Sequence, residues 1–273
     1  MPLADHVTER AQARVGSVLR ARWRLDRVIG VGGMATVYAA THRNKSRVAI
    51  KVLHPEVALD SEVTSRFLRE GYVANLVEHP GTVKVLDDDV NDDGSPFLVM
   101  ELLEGETLQQ MWKRMGRKVP VCDAMYVAEQ TLDTLQAFHD IGIVHRDIKP
   151  ANIFINKDNV VKLLDFGVAR VREAGGDKTR AGTALGTPSY MAPEQAMGLT
   201  EGIDGRADVF SIGATLYAIL SGQRLHQGRS DNEAFILAAT QPAPSLARAA
   251  PDLDVEVIAL VDRSLAWDPR NRF

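Results

Sequence analysis

The sequence of 273 residues predicts an α+β fold in two lobes: a small antiparallel β lobe carrying one helix, and a large, mostly helical lobe. Three observations carry that expectation. Between Trp23 and Leu102, short stretches of strand-like alternation are separated by Gly- and Asp-rich turns and interrupted by a single helical stretch. After Gly105 the apolar residues recur mainly at helical spacing instead. Finally, 273 residues make a chain that is long for one core and fits two modest ones. The expected division is a lead-in over 1–21, a small lobe over 22–103 and a large lobe over 104–273.

Bulk composition narrows the function classes. Hydrophobic residues make up 45% and charged residues 25%, ordinary for a soluble globular protein. A net charge of -4 offers no general attraction to nucleic acid. Cys122, the one cysteine, cannot form an intrachain disulfide, which points to a reducing, cytoplasmic compartment. It reads as a small filler near a helix start. The first residues do not form a signal peptide, and no apolar run approaches the roughly eighteen residues of a membrane span. No membrane contact is expected from this segment.

Residues 1–21 mix Glu9, Arg10, Arg14 and Arg20 with Ala and Val, and read as a short helix or a frayed lead-in. From Trp23 a strand-like run leads into Gly30-Val31-Gly32-Gly33-Met34-Ala35 and out through Thr36–Ala40. A hairpin tip rich in glycine can lie close over a ligand and turn backbone N–H groups toward phosphate oxygens. The next strand, Arg47–Leu53, puts Ala49 and Lys51 on one face by strict alternation. A small residue there leaves room for a flat base, and an ammonium two positions on can reach its phosphates.

The stretch from Ser61 to Val77 reads as a helix ending before His79-Pro80. It offers Glu62 and Glu70, with Glu78 just beyond, as carboxylates that could hold Lys51 extended. Gly71 in its interior costs about 1 kcal/mol relative to alanine, so the helix is expected to swing or fray readily. Strands are expected around Thr82–Leu86 and Phe97–Leu102, joined by a solvated hairpin turn from Asp87 to Gly94. That Asp-rich turn lacks the terminal glutamate of a calcium loop.

Helices over Thr107–Met115 and Asp123–Asp140, with Gly142 as the stop, deliver the turn that begins at His145. Ile153–Ile155 and Val160–Leu164 read as two short strands joined through Asn156-Lys157-Asp158-Asn159. An antiparallel hairpin returns to where it started, so Asn152 and Asp165 end side by side, each offering oxygen. Two hard oxygen donors suit Mg²⁺, which is usually held by one or two protein ligands while substrate phosphates and water supply the rest. Asp147 and Lys149 stand just upstream. Taken singly, His145-Arg146-Asp147 reads equally well as a surface turn, and Asp165-Phe166-Gly167 as a hairpin end.

Residues 168–185 show no apolar periodicity and contain Thr179, Thr183 and several basic residues. Ala207–Ser221 is apolar nearly all round and belongs inside its lobe, with Asp208 expected to cap it. Helices over Asn232–Thr240 and Asp254–Ala266 complete the chain.

Taken together and in order, the glycine hairpin, Val48-Ala49-Ile50-Lys51, His145-Arg146-Asp147-Ile148-Lys149-Pro150-Ala151-Asn152, Asp165-Phe166-Gly167 and Ala192-Pro193-Glu194 resemble the eukaryotic-like, bacterial Hanks-type Ser/Thr protein kinases over about residues 22–273. The resemblance implies a two-lobed protein kinase fold with ATP in the cleft. It assigns Asp147 to orient the substrate hydroxyl and accept its proton, Lys149 to stabilise the transferring group, Lys51 to hold the α and β phosphates, and Glu70 to hold Lys51. Asn152 and Asp165 would bind Mg²⁺, with Mn²⁺ as an alternative. The nucleotide would lie against Ile29, Gly30, Gly32, Gly33, Val37, Ala49 and Phe154. Met100 would guard the back of the adenine pocket, and the backbone of Glu101 and Leu103 would bond the base. Ala35 stands where the family's third glycine would be, which implies a stiffer loop with binding retained.

By the same resemblance Thr187 belongs to the acceptor pocket, Glu194 pairs with Arg272, and Asp208 braces the catalytic turn. Arg146 is placed to pair with a phosphate on Thr179 or Thr183, which would order the loop and raise activity. Expected partners are protein substrates with Ser or Thr acceptors, and a homodimer is left open. The sequence reads as a fragment of a longer protein, and any membrane anchor of that protein would lie beyond Phe273. Two rivals stand beside this reading: a pseudokinase scaffold, and a small-molecule phosphotransferase of similar fold.

Overall fold

The computed structural model describes residues 3–165, 188–199, 202–226, 228 and 230–273, with the backbone alone for 3–5. Phe166 and Gly167, the loop over 168–185 with Thr179 and Thr183, and Thr187 lie outside the described residues. The chain forms two compact units, residues 1–78 with 83–104 and residues 79–82 with 105–273.

The first unit is built on alternation. Strands β1 (Val18–Leu19), β2 (Trp23–Val31), β3 (Ala35–His42), β4 (Arg47–Leu53), β5 (Val85–Val90) and β6 (Pro96–Glu101) form one antiparallel sheet in the order β1-β2-β3-β4-β6-β5. Leu25, Tyr38, Ile50, Phe97 and Val99 are buried on one side, against Ala11 of helix α1 (Leu3–Ala13). Ala35, Leu53 and Leu98 are buried on the other, against Phe67 of helix α3 (Ser61–Ala74). A short helix α2 (Pro55–Ala58) precedes α3. Because β4 alternates, Ala49 and Lys51 share the side that faces α3.

The lead-in takes the helical one of its two expected forms, and several other details differ from the sequence expectations, each for a physical reason. The lead-in is a helix seated on the sheet: Ala11 O accepts a hydrogen bond from Tyr38 Oη at 3.3 Å. Arg14 pairs with Asp93 at 2.7 Å and Arg20 with Asp92 at 3.2 Å, so two lead-in arginines answer the Asp-rich turn. β5 starts at Val85 and runs on through Asp87, Asp88 and Asp89, which pair with Val99, Leu98 and Phe97 of β6. An edge strand gains its ladder from its neighbour, and aspartate's weak strand preference yields to that. The connecting turn therefore shrinks to Asn91–Ser95, closed by Asn91 N donating to Ser95 O at 2.9 Å.

Helix α3 starts where expected, with Asp60 capping Glu62 N and Val63 N. It ends at Ala74, three residues early, because the Asn75 side chain bonds both Val85 N and Val85 O. Gly71 has a packing reason: a Cβ there would lie 2.9 Å from the Leu98 methyls.

The second unit is mostly helical. Its small sheet joins β7 (Gly105–Thr107), β8 (Ile153–Asn156) and β9 (Val161–Leu163) in that order. Among the described residues it also has helices α4 (Leu108–Arg114), α5 (Val121–His139), α6 (Pro193–Ala196), α7 (Arg206–Ser221), α8 (Asp231–Thr240), α9 (Leu246–Ala249) and α10 (Val255–Ser264), with two 3₁₀ turns. Thr107, expected inside a helix, instead ends β7 and caps α4 through a reciprocal pair with Gln110. Cys122 is exposed rather than filling space.

α7 is buried from Ala207 to Ser221 except at half-buried Val209 and forms one core with Leu108, Trp112, Leu135, Ile148 and Ile153. Its N-cap is Gly205, with no side-chain cap, so Asp208 does not cap it. A Cβ at Gly205 would lie 2.5 Å from His139 Nδ1, and glycine is what lets the helix start so close to α5. Among the described residues, no helix is long and apolar enough to cross a membrane.

Candidate active site

In the first unit, antiparallel register sets Val37 opposite Lys51, Ala39 opposite Ala49, and Ala49 opposite Met100. Lys51 Nζ donates to Glu70 Oε1 at 2.8 Å. Both side chains are largely enclosed, at 12% and 15% exposure, and Phe67 places its ring 5.9 Å from the ammonium. Of the candidate carboxylates, Glu70 is thus the one found on Lys51, while Glu62 pairs with Arg66 one turn along α3.

The glycine hairpin at the β2–β3 tip is closed by Gly32 N donating to Ala35 O at 2.9 Å. A Cβ at Gly30 or Gly33 would meet nothing within 4 Å. The fold itself does not demand glycine there; what the missing side chains leave is open approach to backbone, as a phosphate cradle needs. Ile29 is exposed beside it.

At the end of β6, Met100, Glu101 and Leu103 are half-buried. Glu101 N donates to Lys84 O at 3.0 Å, so any backbone bond from Glu101 to a base must run through its carbonyl. Leu103 N–H has no partner among the described residues, which leaves a donor available.

In the second unit the catalytic turn hangs from one buried carboxylate. Asp208, with no exposed surface, accepts from His145 N at 2.9 Å, from Arg146 N at 2.8 Å and from His139 Nε2 at 2.8 Å. Gln195 Nε2 adds a bond to Arg146 O at 3.1 Å. Arg146 is thereby held at φ 65°, a left-handed conformation that costs a non-glycine residue of order 1–3 kcal/mol and concentrates at functional sites.

His145 is fully buried, and burial pushes its pKa below the ordinary value against the pull of Asp208, Asp147 and Asp165. The ring is therefore neutral. Its Nδ1 accepts from Asp147 N at 3.3 Å, so Nε2 carries the proton and donates to Leu164 O at 3.2 Å.

That turn brings the expected polar groups together. Lys149 Nζ donates to Asp147 Oδ2 at 2.9 Å, and Asn152 Nδ2 donates to Asp147 O at 2.8 Å and Oδ2 at 3.1 Å. With both its amide protons directed at Asp147, Asn152 keeps Oδ1 as the oxygen it can offer a cation. Across the hairpin, Leu164 N donates to Asn152 O at 2.8 Å, which sets Asp165 beside Asn152. Asp165 is exposed and holds φ 52°. A neutral amide oxygen and a carboxylate are the hard donors that Mg²⁺ takes, and the donor set fits that ion. Phe154 is half-buried in β8, opposite Lys162 and Thr107.

Away from the turn, Arg272 forks onto Glu194 with Nη1–Oε1 at 2.6 Å and Nη2–Oε2 at 2.9 Å. The same guanidinium donates to Ala266 O, Arg206 O and Trp267 O and lies over the Phe210 ring. Sequence reasoning missed His139 and Gln195. His139 is a lone polar residue on a helix, Gln195 directly follows the Ala192-Pro193-Glu194 motif without belonging to it, and only the chain's return to Asp208 and Arg146 gives each a role. Among the described residues, no group of three or more His, Cys, Asp or Glu could hold a metal ion, so the Asn152 and Asp165 pair is the candidate.

Comparison with known proteins identifies the family. The protein kinase domain model matches residues 23–273. Serine/threonine-protein kinase Pkn1 of Myxococcus xanthus is 36% identical over 277 residues, covering 100% of this chain and 39% of that protein. Serine/threonine-protein kinase PknA of Mycobacterium tuberculosis is 38% identical over 265 residues, covering 95% of this chain and 60% of that protein. The chain thus spans roughly two-fifths to three-fifths of the length of these relatives. The crystal structure of the Mycobacterium tuberculosis PknI kinase domain superposes with a TM-score of 0.72 at 30% identity, covering 95% of this chain and 93% of that one. The chain belongs to the protein kinase domain family, among its bacterial serine/threonine members.

Proposed function

We propose that this chain transfers the γ-phosphoryl group of ATP to Ser and Thr hydroxyls of protein substrates. The observation that carries the reading is the set of bonds around Asp147, where Lys149 and Asn152 converge on one carboxylate held by a buried scaffold. Asp147 orients the acceptor hydroxyl and takes its proton as the new P–O bond forms; the bond from the γ phosphorus to its bridging oxygen breaks, and ADP leaves with the electron pair. Lys149 offsets charge on the transferring group. Lys51, held extended by Glu70, binds the α and β phosphates, and the open backbone at Gly30 and Gly33 leaves room for them. Leu103 N–H and the Glu101 carbonyl bond the base. Mg²⁺ at Asn152 and Asp165 supplies neutralisation of phosphate charge.

The two units correspond in this reading to the small and large lobes, 22–103 and 104–273, with 1–21 as a lead-in. Arg146, whose guanidinium has no partner among the described residues, is the site for a phosphate carried by Thr179 or Thr183, and activation by that modification follows. A cytoplasmic setting suits the single cysteine.

The test is incubation with γ-labelled ATP, Mg²⁺ and a generic protein acceptor, beside Lys51→Met. Label on Ser and Thr of the acceptor, lost in the variant, is the expected result. No transfer by the unmodified chain identifies a scaffold, and transfer to small molecules alone identifies a different phosphotransferase.

A further inference from the structure

The helical unit contains a cavity of about 770 Å³, within the roughly 300–1,000 Å³ usual for ligand sites. Its wall includes Trp112 and Lys113 of α4, Arg117 from the following turn, Arg224 just beyond α7, Ser189, and Asp231 at the start of α8. None of these residues belongs to the catalytic turn.

Charge is what distinguishes this wall. The chain as a whole is negative, at -4, yet here, among the described residues, three cations face a single carboxylate. Several other basic residues of the unit are matched: Arg114 pairs with Glu106, Arg206 with Asp204 and Arg270 with Asp268. Lys113, Arg117 and Arg224 are exposed and have no ion-pair partner among the described residues. Trp112 gives the wall a large apolar surface and is 7% exposed; its indole N–H is buried without a partner among the described residues, whereas a buried Trp N–H ordinarily finds one. His226, also on the wall, is buried and held neutral by that burial, so it adds no charge of its own.

We propose that this cavity docks an acidic stretch of the protein substrate, with its carboxylates against Lys113, Arg117 and Arg224. The chain then phosphorylates Ser and Thr acceptors accompanied by Glu or Asp in preference to those with neutral neighbours. The inference rests on the kinase reading given above.

Two fluorescent peptides test it, sharing one Thr acceptor and differing only in a run of Glu replaced by Gln. Anisotropy with the whole chain is expected to show the Glu peptide binding roughly tenfold tighter, with the difference shrinking as salt is raised. The triple variant Lys113→Gln, Arg117→Gln, Arg224→Gln is expected to lose that difference while phosphorylating the Gln peptide at the unmodified rate. Equal binding of both peptides by the unmodified chain, or a preference that survives in the triple variant, overturns the proposal. Preferential binding of the Glu peptide with phosphorylation of neither upholds the docking site and overturns the kinase reading instead.

Discussion

His145 has no exposed surface and sits where a charge would have to be left without water, and the fold resolves this by keeping the ring neutral. Its pKa is held below 6.5, chiefly by burial, and His54 and His226 are shifted the same way for the same reason. Below about pH 6.5 these rings take up protons in the unfolded chain before they do in the folded one, so the unfolded state gains stability as pH falls. The melting temperature is therefore expected to hold above pH 7 and to drop as pH is lowered from 6.5 toward the depressed folded values. Thermal scans across pH 5.5–8 check this, and a flat profile would contradict it. At this scale the sequence disclosed Asp147, Lys149 and Asn152 through their motif. It could not disclose His139 or Gln195, because a side chain that supports another across a long stretch of chain leaves no local pattern.

At the scale of elements, one glycine of α3 carries two physical readings. Helix propensity alone makes Gly71 a weak point that lets the helix swing, but the structure supplies a second reason for it in the close approach of Leu98. Gly71→Val must push α3 away from β6 or force Leu98 off its rotamer, at about 1–3 kcal/mol. Because Glu70 is the preceding residue, the same shift should pull its carboxylate from Lys51. The expected outcome is a lower urea midpoint together with a fall in phosphoryl transfer larger than the stability loss explains. Unchanged transfer in the folded variant would show that α3's position is not coupled to Lys51.

The strands of the first unit were legible because each buries one face and alternation is a local signal. β5 was legible only at its start, within the strand expected around Thr82–Leu86, since the run of aspartates that continues it reads as turn and only pairing with β6 makes that part a strand; β1, two residues long within the lead-in, was not legible. The short helices α2, α6 and α9 also escaped, being too brief to display a period.

At the scale of the whole chain, the order of motifs disclosed the family before any coordinates did. The same resemblance also carried the pairing of Glu194 with Arg272. Arg272 lies 78 residues from Glu194 in sequence, and its buried fork ties the end of the described chain to the α6 segment whose Gln195 bonds the catalytic turn. Removing one partner of such a pair leaves a buried charge unmatched and typically costs 3–5 kcal/mol. Arg272→Ala is expected to lose stability of about that size in urea denaturation. Arg272→Lys should recover little of it, because an ammonium cannot reproduce a planar fork that bonds a carboxylate and three carbonyls at once. Full recovery with lysine would mean that charge alone, and not geometry, holds this corner.

The most direct measurement of the account pairs two readings on Asp147→Asn: the thermal shift on adding Mg²⁺ and ATP, and the rate of phosphoryl transfer to a Thr-containing protein acceptor. The account predicts that the thermal shift is kept, since nucleotide binding is assigned to other residues, while transfer falls by roughly 10²–10⁴-fold with the loss of the proton acceptor. Transfer within a few-fold of the unmodified chain would contradict it.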